Sequence, residues 1–150
     1  MKNIFNQGEA TEVINRINNL NSNSQPLWGK MAVGQMLAHC NVTYELLYDD
    51  KHPKPNSFKK FMLKLFVKNI VVSEKPYKKN GQTAPEFIIK DSKNFDTEKK
   101  RLVDHINKTQ QLGDKYFDGK ESYSFGALTI GEWNNMFYKH LDHHLKQFGV

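Results

Sequence analysis

"LTIGEWNNMFYKHLDHHLKQFGV", residues 128–150, is the stretch on which the fold turns. Thr129 and Glu132 make a T-x-x-E capping box and Gly149 is a stop signal, so the spacing predicts one helix between them. Ile130, Trp133, Phe137, His140, His144 and Phe148 recur at intervals of three or four and therefore form a single stripe. An apolar stripe of this length has to be covered by other helices. Two histidines lie on it: residues four apart on a helix are offset by about 40° and rise by about 6 Å, so His140 and His144 project side by side. His143 is turned about 100° from His144 and sits at the flank with Met136 and Gln147.

The partners for that stripe lie upstream. Val13, Ile14, Ile17 and Leu20 share helical spacing from Glu9 to Leu20, and the cluster "NNLNSNSQP" ends that element. A second helix is expected from about Lys30 to Tyr48, with Met36, Leu37, Cys40, Tyr44 and Leu47 on one stripe and His39, Thr43 and Leu46 beside it; "DDKHPKPN" then breaks the chain. An aspartate N-cap at Asp96 and a terminal Gly113 frame a third, with Leu102, Val103, Ile106 and Leu112 inward. Between these lies an amphipathic basic helix over residues 58–71, with Phe58, Phe61, Met62, Leu65 and Phe66 on one side and Lys60, Lys64 and Lys68 on the other. Its aromatic face is expected to pack on the bundle or across a dimer interface. Residues 73–94, with Pro76, Gly81 and Pro85, predict a long loop with "EFII" briefly extended, and residues 114–127 a second loop. The expected fold is all-α: one domain over residues 1–150, a four-helix bundle with an inserted amphipathic helix and long loops.

Composition narrows the function classes. A chain of 150 residues with 38% hydrophobic and 12% aromatic content can bury a core of its own. A single cysteine, Cys40, cannot form an internal disulfide, and the polar first ten residues lack a signal-peptide pattern, so a cytoplasmic location is expected. No apolar run reaches membrane-spanning length. The net charge of +6 comes almost wholly from lysine without an arginine cluster, which reads as solvated surface; no nucleic-acid partner is expected. Basic amphipathic helices can lie on anionic membranes, but the packed alternative is preferred here, so membrane association is not expected.

The histidines need a third party. A lone histidine on an apolar face is ordinarily a hydrogen-bonded core residue, but two on one inward stripe each need partners for their ring nitrogens, and one cation would satisfy both. Bundles build metal sites from facing helices, which makes His39 in "QMLAHCNVTYELL" the natural third ligand. His105, among charged neighbours, is expected to face solvent, and His52 to be exposed in a loop. Cys40 lies on an apolar stripe, where a free cysteine behaves as a small buried hydrophobe. Glu45 and Asp142 point away from the histidine stripes by helical angle, so no proton-transfer residue is assigned.

"WGKMAVGQMLAHC", "APEF", "FDTEKKRL" and "LTIGEWNNMFYKHLDHHLKQFGV" together resemble the DinB-like metal-binding four-helix superfamily, in one of its uncharacterised bacterial branches. The similarity covers nearly the whole chain apart from about residues 58–79, and "QMLAHC" and "YKHLDHHLKQF" are its most specific pieces. The resemblance implies a divalent metal held by His39, His140 and His144, and relatives that include thiol S-transferases and a thiol-dependent isomerase using low-molecular-weight bacterial thiols. The family pattern also places a histidine-proline pair shortly before the capping box; this chain reads "SYSFGALT", with Tyr123 and Ser124, so no role is carried over to that position.

Three neutral imidazoles suit zinc or nickel and leave a coordination position for water or substrate. Two functions are consistent with the pattern: a metal-dependent enzyme acting on a small molecule, either an S-transferase using a low-molecular-weight thiol or a hydrolase, and a non-catalytic binding or membrane-surface module whose histidines fill the core. Pairing as a homodimer through exposed helix faces is compatible with either, and no motif fixes the partner.

Overall fold

The computed structural model describes residues 1–49 and 51–150; Asp50, in the "DDKHPKPN" break, lies outside the described residues. Four long helices carry the architecture: α1 (Gln7–Asn18), α2 (Val33–Tyr48), α5 (Phe95–Leu112) and α7 (Ile130–Gln147). Helix α2 packs on α5 and α7, and α1 on the same two, which closes a ring around one core. The fold is therefore all-α, as the periodicity predicts. Helix α2 is its centre: Met36, Leu37, Ala38, Cys40, Val42 and Tyr44 are all buried, and so are the polar His39, Asn41 and Thr43 between them.

Local chemistry sets the helix ends. The Asn6 side chain accepts the Glu9 amide at 3.2 Å to start α1. At α7 the capping box is reciprocal, with Glu132 N donating to Thr129 Oγ1 at 3.3 Å and Thr129 N to Glu132 Oε2 at 3.0 Å. For α5 the cap is Asn94, not Asp96: its side chain accepts the Thr97 amide at 2.9 Å, and Asp96 falls in the first turn, where its charge still suits the helix dipole. The second expected loop contains short structure, namely α6 (Asp114–Phe117) and a hairpin of β1 (Glu121–Ser122) and β2 (Gly126–Ala127) in the register Glu121↔Ala127. Within "EFII" the first two residues are not extended: Pro85–Phe87 forms a single 3-10 turn with proline at its start, and the backbone becomes extended at Ile88.

The inserted basic helix departs most from expectation. It breaks at Val67 into α3 (Ser57–Phe66) and α4 (Lys68–Val72), and the inward residues are Leu63 and Val67 rather than the aromatics. Phe58, Phe61, Leu65 and Phe66 are 73%, 60%, 60% and 62% exposed. The expectation that they pack on the bundle is thus overturned. With Leu63 and Val67 turned to the core, Lys59 pairs with Glu86 at 2.6 Å, Lys60 with Glu121 at 2.9 Å and Lys68 with Glu132 at 2.7 Å along the bundle rim. At the end of α4, the buried Lys139 of α7 donates to the carbonyls of Ile70, at 2.9 Å, and Ser73.

An aromatic stack fills the core: Tyr44 lies parallel to Phe137 at 5.1 Å, Phe137 to Trp133 at 5.4 Å, and Phe117 meets Trp133 edge-on at 5.5 Å. Within it the Tyr44 hydroxyl and Trp133 Nε1 are buried without a hydrogen-bond partner among the described residues. Burying an unanswered hydroxyl opposes folding. Tyr44→Phe is accordingly expected to raise the unfolding free energy by about 1 kcal/mol, read from the urea midpoint. A decrease would show that the hydroxyl is satisfied in solution.

Candidate metal centre

Helix α2 presents His39 and helix α7 presents His140 and His144, and one ring nitrogen from each lies within 4.8 Å of the other two. His39 and His144 are buried residues; the ring of His140 is buried as well, although that residue as a whole keeps partial exposure. The trio that helical spacing singled out is thus brought together across the α2–α7 contact.

What surrounds each ring fixes which nitrogen points inward. His39 Nδ1 lies 2.9 Å from the carbonyl oxygen of Phe87, which can only accept, so Nδ1 carries the proton. Gln147 Nε2 donates to the Trp28 carbonyl at 2.7 Å; that orients the amide and leaves Oε1 to accept from His144 Nδ1 at 2.8 Å. His140 Nδ1 meets the Thr43 hydroxyl at 2.9 Å, a group able to donate or accept. In all three rings Nδ1 is engaged by the protein, and Nε2 is the nitrogen left for an ion. A histidine ligand whose other nitrogen is anchored in this way is held in tautomer and orientation.

Without an ion the same atoms form a consistent chain. His39 Nε2 and His140 Nε2 are 2.9 Å apart, so with His39 protonated at Nδ1 the proton between them belongs to His140. Thr43 then donates to His140 Nδ1. For His140 to offer its Nε2 lone pair, its proton must move to Nδ1 and the Thr43 hydroxyl must turn from donor to acceptor. The donor set fits a divalent ion: ligands of a tetrahedral zinc with Zn–N near 2.0–2.1 Å lie roughly 3.3–3.4 Å apart, a value bracketed by the separations here.

Charge supports the same picture. Burial holds His39, His140 and His144 below the ordinary imidazole value of 6.5, reinforced at His140 and His144 by the neighbouring imidazoles; His144 is pushed down to about 3. All three are neutral near pH 7, the form that can bind a metal.

The loop after α4 roofs the centre. The Phe87 ring meets His39 at 5.4 Å and His140 at 5.7 Å, and Tyr77 approaches His140 at 6.4 Å. His143, flanking as expected, stands edge-on to His144 at 5.0 Å, Tyr77 at 5.6 Å and Trp28 at 5.9 Å. It separates the trio from a cleft of about 610 Å³ whose lining includes Trp28, Tyr77, Lys79, Lys139, Asp142 and His143.

The remaining candidates lie elsewhere. His105 does not simply face solvent: it is half-buried between α5 and α2, stacked on Tyr44 at 5.3 Å, and its Nδ1 donates to Asn41 Oδ1 at 3.0 Å. His52 is also partly buried, its Nε2 3.1 Å from Glu45 Oε2. Glu45 and Asp142 are committed to ion pairs, Glu45 with Arg101 and Asp142 with Arg16 at 2.9 Å. Cys40 is buried, its thiol pushed up by burial and 3.8 Å from Met36 Sδ, which makes it an inert core residue. Tyr123 donates to the Pro53 carbonyl at the hairpin, and the Tyr123 and Ser124 positions supply no ligand to the trio. Sequence reasoning missed the anchoring groups. Gln147 stands one helical turn from His144 and could have been found by that spacing; Thr43 stands one turn from His39 but meets His140 across the α2–α7 contact, and the carbonyls of Phe87 and Trp28 leave no residue-type signal.

A family model described as "Protein of unknown function (DUF1569)" matches residues 4–149 of the chain. No curated protein matches it, and no solved structure does.

The depressed imidazoles make metal-free protein acid-sensitive. An unfolded histidine takes up a proton below its ordinary value of 6.5, whereas the folded ones do not until much lower pH. The unfolded state therefore binds more protons in that window, and stability is fully present above 6.5 and falls as pH drops. Urea midpoints of chelator-treated protein should decline from about pH 7.5 to about pH 5, with a shallower decline in His144→Ala.

Proposed function

We propose, for a chain that belongs to the DUF1569 family of proteins of unknown function, a metal-dependent enzyme that acts on a small molecule and holds a zinc or nickel ion through His39, His140 and His144. One observation carries this reading. Each of the three rings has its Nδ1 tied to a protein oxygen, so that its Nε2 is the nitrogen left for an ion. A core-filling role requires partners for the rings but gives no reason for three imidazoles from two helices to meet. The resemblance to DinB-like bundles supports the same ligand set and favours thiol S-transfer over hydrolysis, with a low-molecular-weight thiol as co-substrate.

When bound, such an ion acts as a Lewis acid that lowers the pKa of water or of a substrate thiol at the ligand position left open. The chain's own residues do the rest. Phe87 and Tyr77 keep water from the roof of the site, and Thr43 and Gln147 fix the rings of His140 and His144. The cleft beyond His143 offers aromatic walls at Trp28 and Tyr77 and a cation at Lys79, suited to a substrate that combines apolar and anionic parts.

Protein purified without a histidine tag or chelator should contain or take up about one equivalent of zinc or nickel by elemental analysis, with His140→Ala and His144→Ala losing it. No uptake of either metal by folded wild type would sink the proposal. Thr43→Val should weaken metal affinity by about 10–100-fold in calorimetry while the fold persists. Metal-loaded protein should conjugate thiols to electrophiles faster than the His140→Ala variant; turnover of esters or amides without thiol would assign hydrolysis instead.

A further inference from the structure

The three rings of the centre are anchored, and the two rings that separate them from the cleft are not. His39, His140 and His144 each have Nδ1 held by a protein oxygen at 2.8–2.9 Å. His52 and His105 are bonded as well, to Glu45 and Asn41. Among the described residues His143 is the one histidine with no hydrogen bond on either ring nitrogen, and it touches its neighbours only through ring edges. Tyr77 is held little better: its hydroxyl reaches only the Val71 carbonyl, at 3.4 Å, beyond the usual range for such a bond.

The segment that carries Tyr77 hangs between two firm fixings. Upstream, Asn135 donates to the Val72 carbonyl at 2.8 Å, and Lys139 to the carbonyls of Ile70 and Ser73. Downstream, His39 holds the Phe87 carbonyl and Gln35 Nε2 donates to the Ile89 carbonyl at 3.2 Å. Between them the backbone of residues 74–83 forms no hydrogen bond with the rest of the protein among the described residues. Its side-chain ties are the Tyr77 ring and Lys79, whose ammonium lies 4.2 Å from the Trp28 ring centre. Asn80, at φ 56° and next to Gly81, reverses the chain at its middle. A segment with few buried contacts and a solvated backbone opens at far lower free energy than the helices beneath it.

An ion or substrate has to pass one side of the roof to reach the buried trio. The Phe87 side is pinned by His39 and Gln35, whereas the side toward the cleft is closed by Tyr77 and His143 alone. Glu74, Pro76, Tyr77 and Lys79 also line the 610 Å³ cleft, so a departure of this segment opens cleft and centre together. We propose that residues 74–84 form a lid with Tyr77 as its gate, and that the trio exchanges ions and substrate with the cleft when Tyr77 swings out and the unanchored His143 turns with it. The metal-enzyme reading supplies what passes through the gate; the gate itself concerns access to three imidazoles and is tested without metal.

Carbethoxylation of chelator-treated, full-length protein by diethylpyrocarbonate, mapped residue by residue by mass spectrometry, reads that access. In wild type His143 should react faster than His140 and His144. Tyr77→Ala should speed His140 and His144 about tenfold or more, and Lys79→Ala about two- to fivefold, with the rate at His105 unchanged. If Tyr77→Ala unfolds, as a faster His105 would show, Lys79→Ala decides, since that side chain is exposed. Equal rates in wild type and Tyr77→Ala, or acceleration by Phe87→Ala with none by Tyr77→Ala, would overturn the proposal. With zinc, Tyr77→Ala should speed uptake and loss to a chelator by similar factors, leaving affinity within about threefold. Faster loss without faster uptake would make Tyr77 a fixed part of the centre and sink the gate. Should wild type take up no zinc, the metal reading fails while carbethoxylation still decides the lid.

Discussion

Three imidazoles can meet inside a helical bundle only if each is neutral and each ring nitrogen is answered. The burial that makes α2 and α7 pack also strips water from the rings, and the protein replaces it with the Phe87 carbonyl, the Thr43 hydroxyl and the Gln147 amide. Much of the irregular structure follows from that requirement. The segment after α4 has to pass over the α2–α7 seam for Phe87 to reach His39, and the segment before α2 has to return to the end of α7 for Trp28 to orient Gln147. The long connections are parts of the centre as much as links between helices.

That division explains how much could be read in advance. The four helices and the histidine trio are periodic features of single elements, and a stripe is visible in sequence because helical geometry is regular. The anchors at Phe87 and Trp28 are backbone atoms delivered by loops, and any residue type supplies the same carbonyl. His105 illustrates a second limit. Its charged neighbour Asp104 points about 100° away, while the buried Leu102 and Thr109, three and four residues off, share its side of the helix, so sequence adjacency misled where helical spacing would have placed it near the core.

Helix α3 marks the third limit. Periodicity reveals that its apolar residues form a stripe but is silent on which way the stripe faces. The direction goes with two apolar residues, Leu63 and Val67, that the eye passes over beside four exposed aromatics and leucines, and with Glu86, Glu121 and Glu132, drawn from three distant parts of the chain. Long-range ion pairs of this kind contribute modestly to stability, and here they accompany the packing of Leu63, Val67 and Val71 on the core.

Gln147 ties the His144 ring to the Trp28 carbonyl, and the chain makes room for it at Gly29, where φ is +82° and a built Cβ would lie 2.5 Å from Gln147 Nε2. Position 29 touches no histidine, lies more than a hundred residues from His144 and is exposed. Even so, a side chain there strains the backbone and pushes on the amide that sets an imidazole's tautomer. A substitution at position 29 would therefore disturb the His144 ring as a change of Gln147 would, although the residue belongs to a surface loop. The mutational footprint of the histidine cluster is therefore wider than its three rings, and it extends along a segment that exposure alone would mark as free to vary.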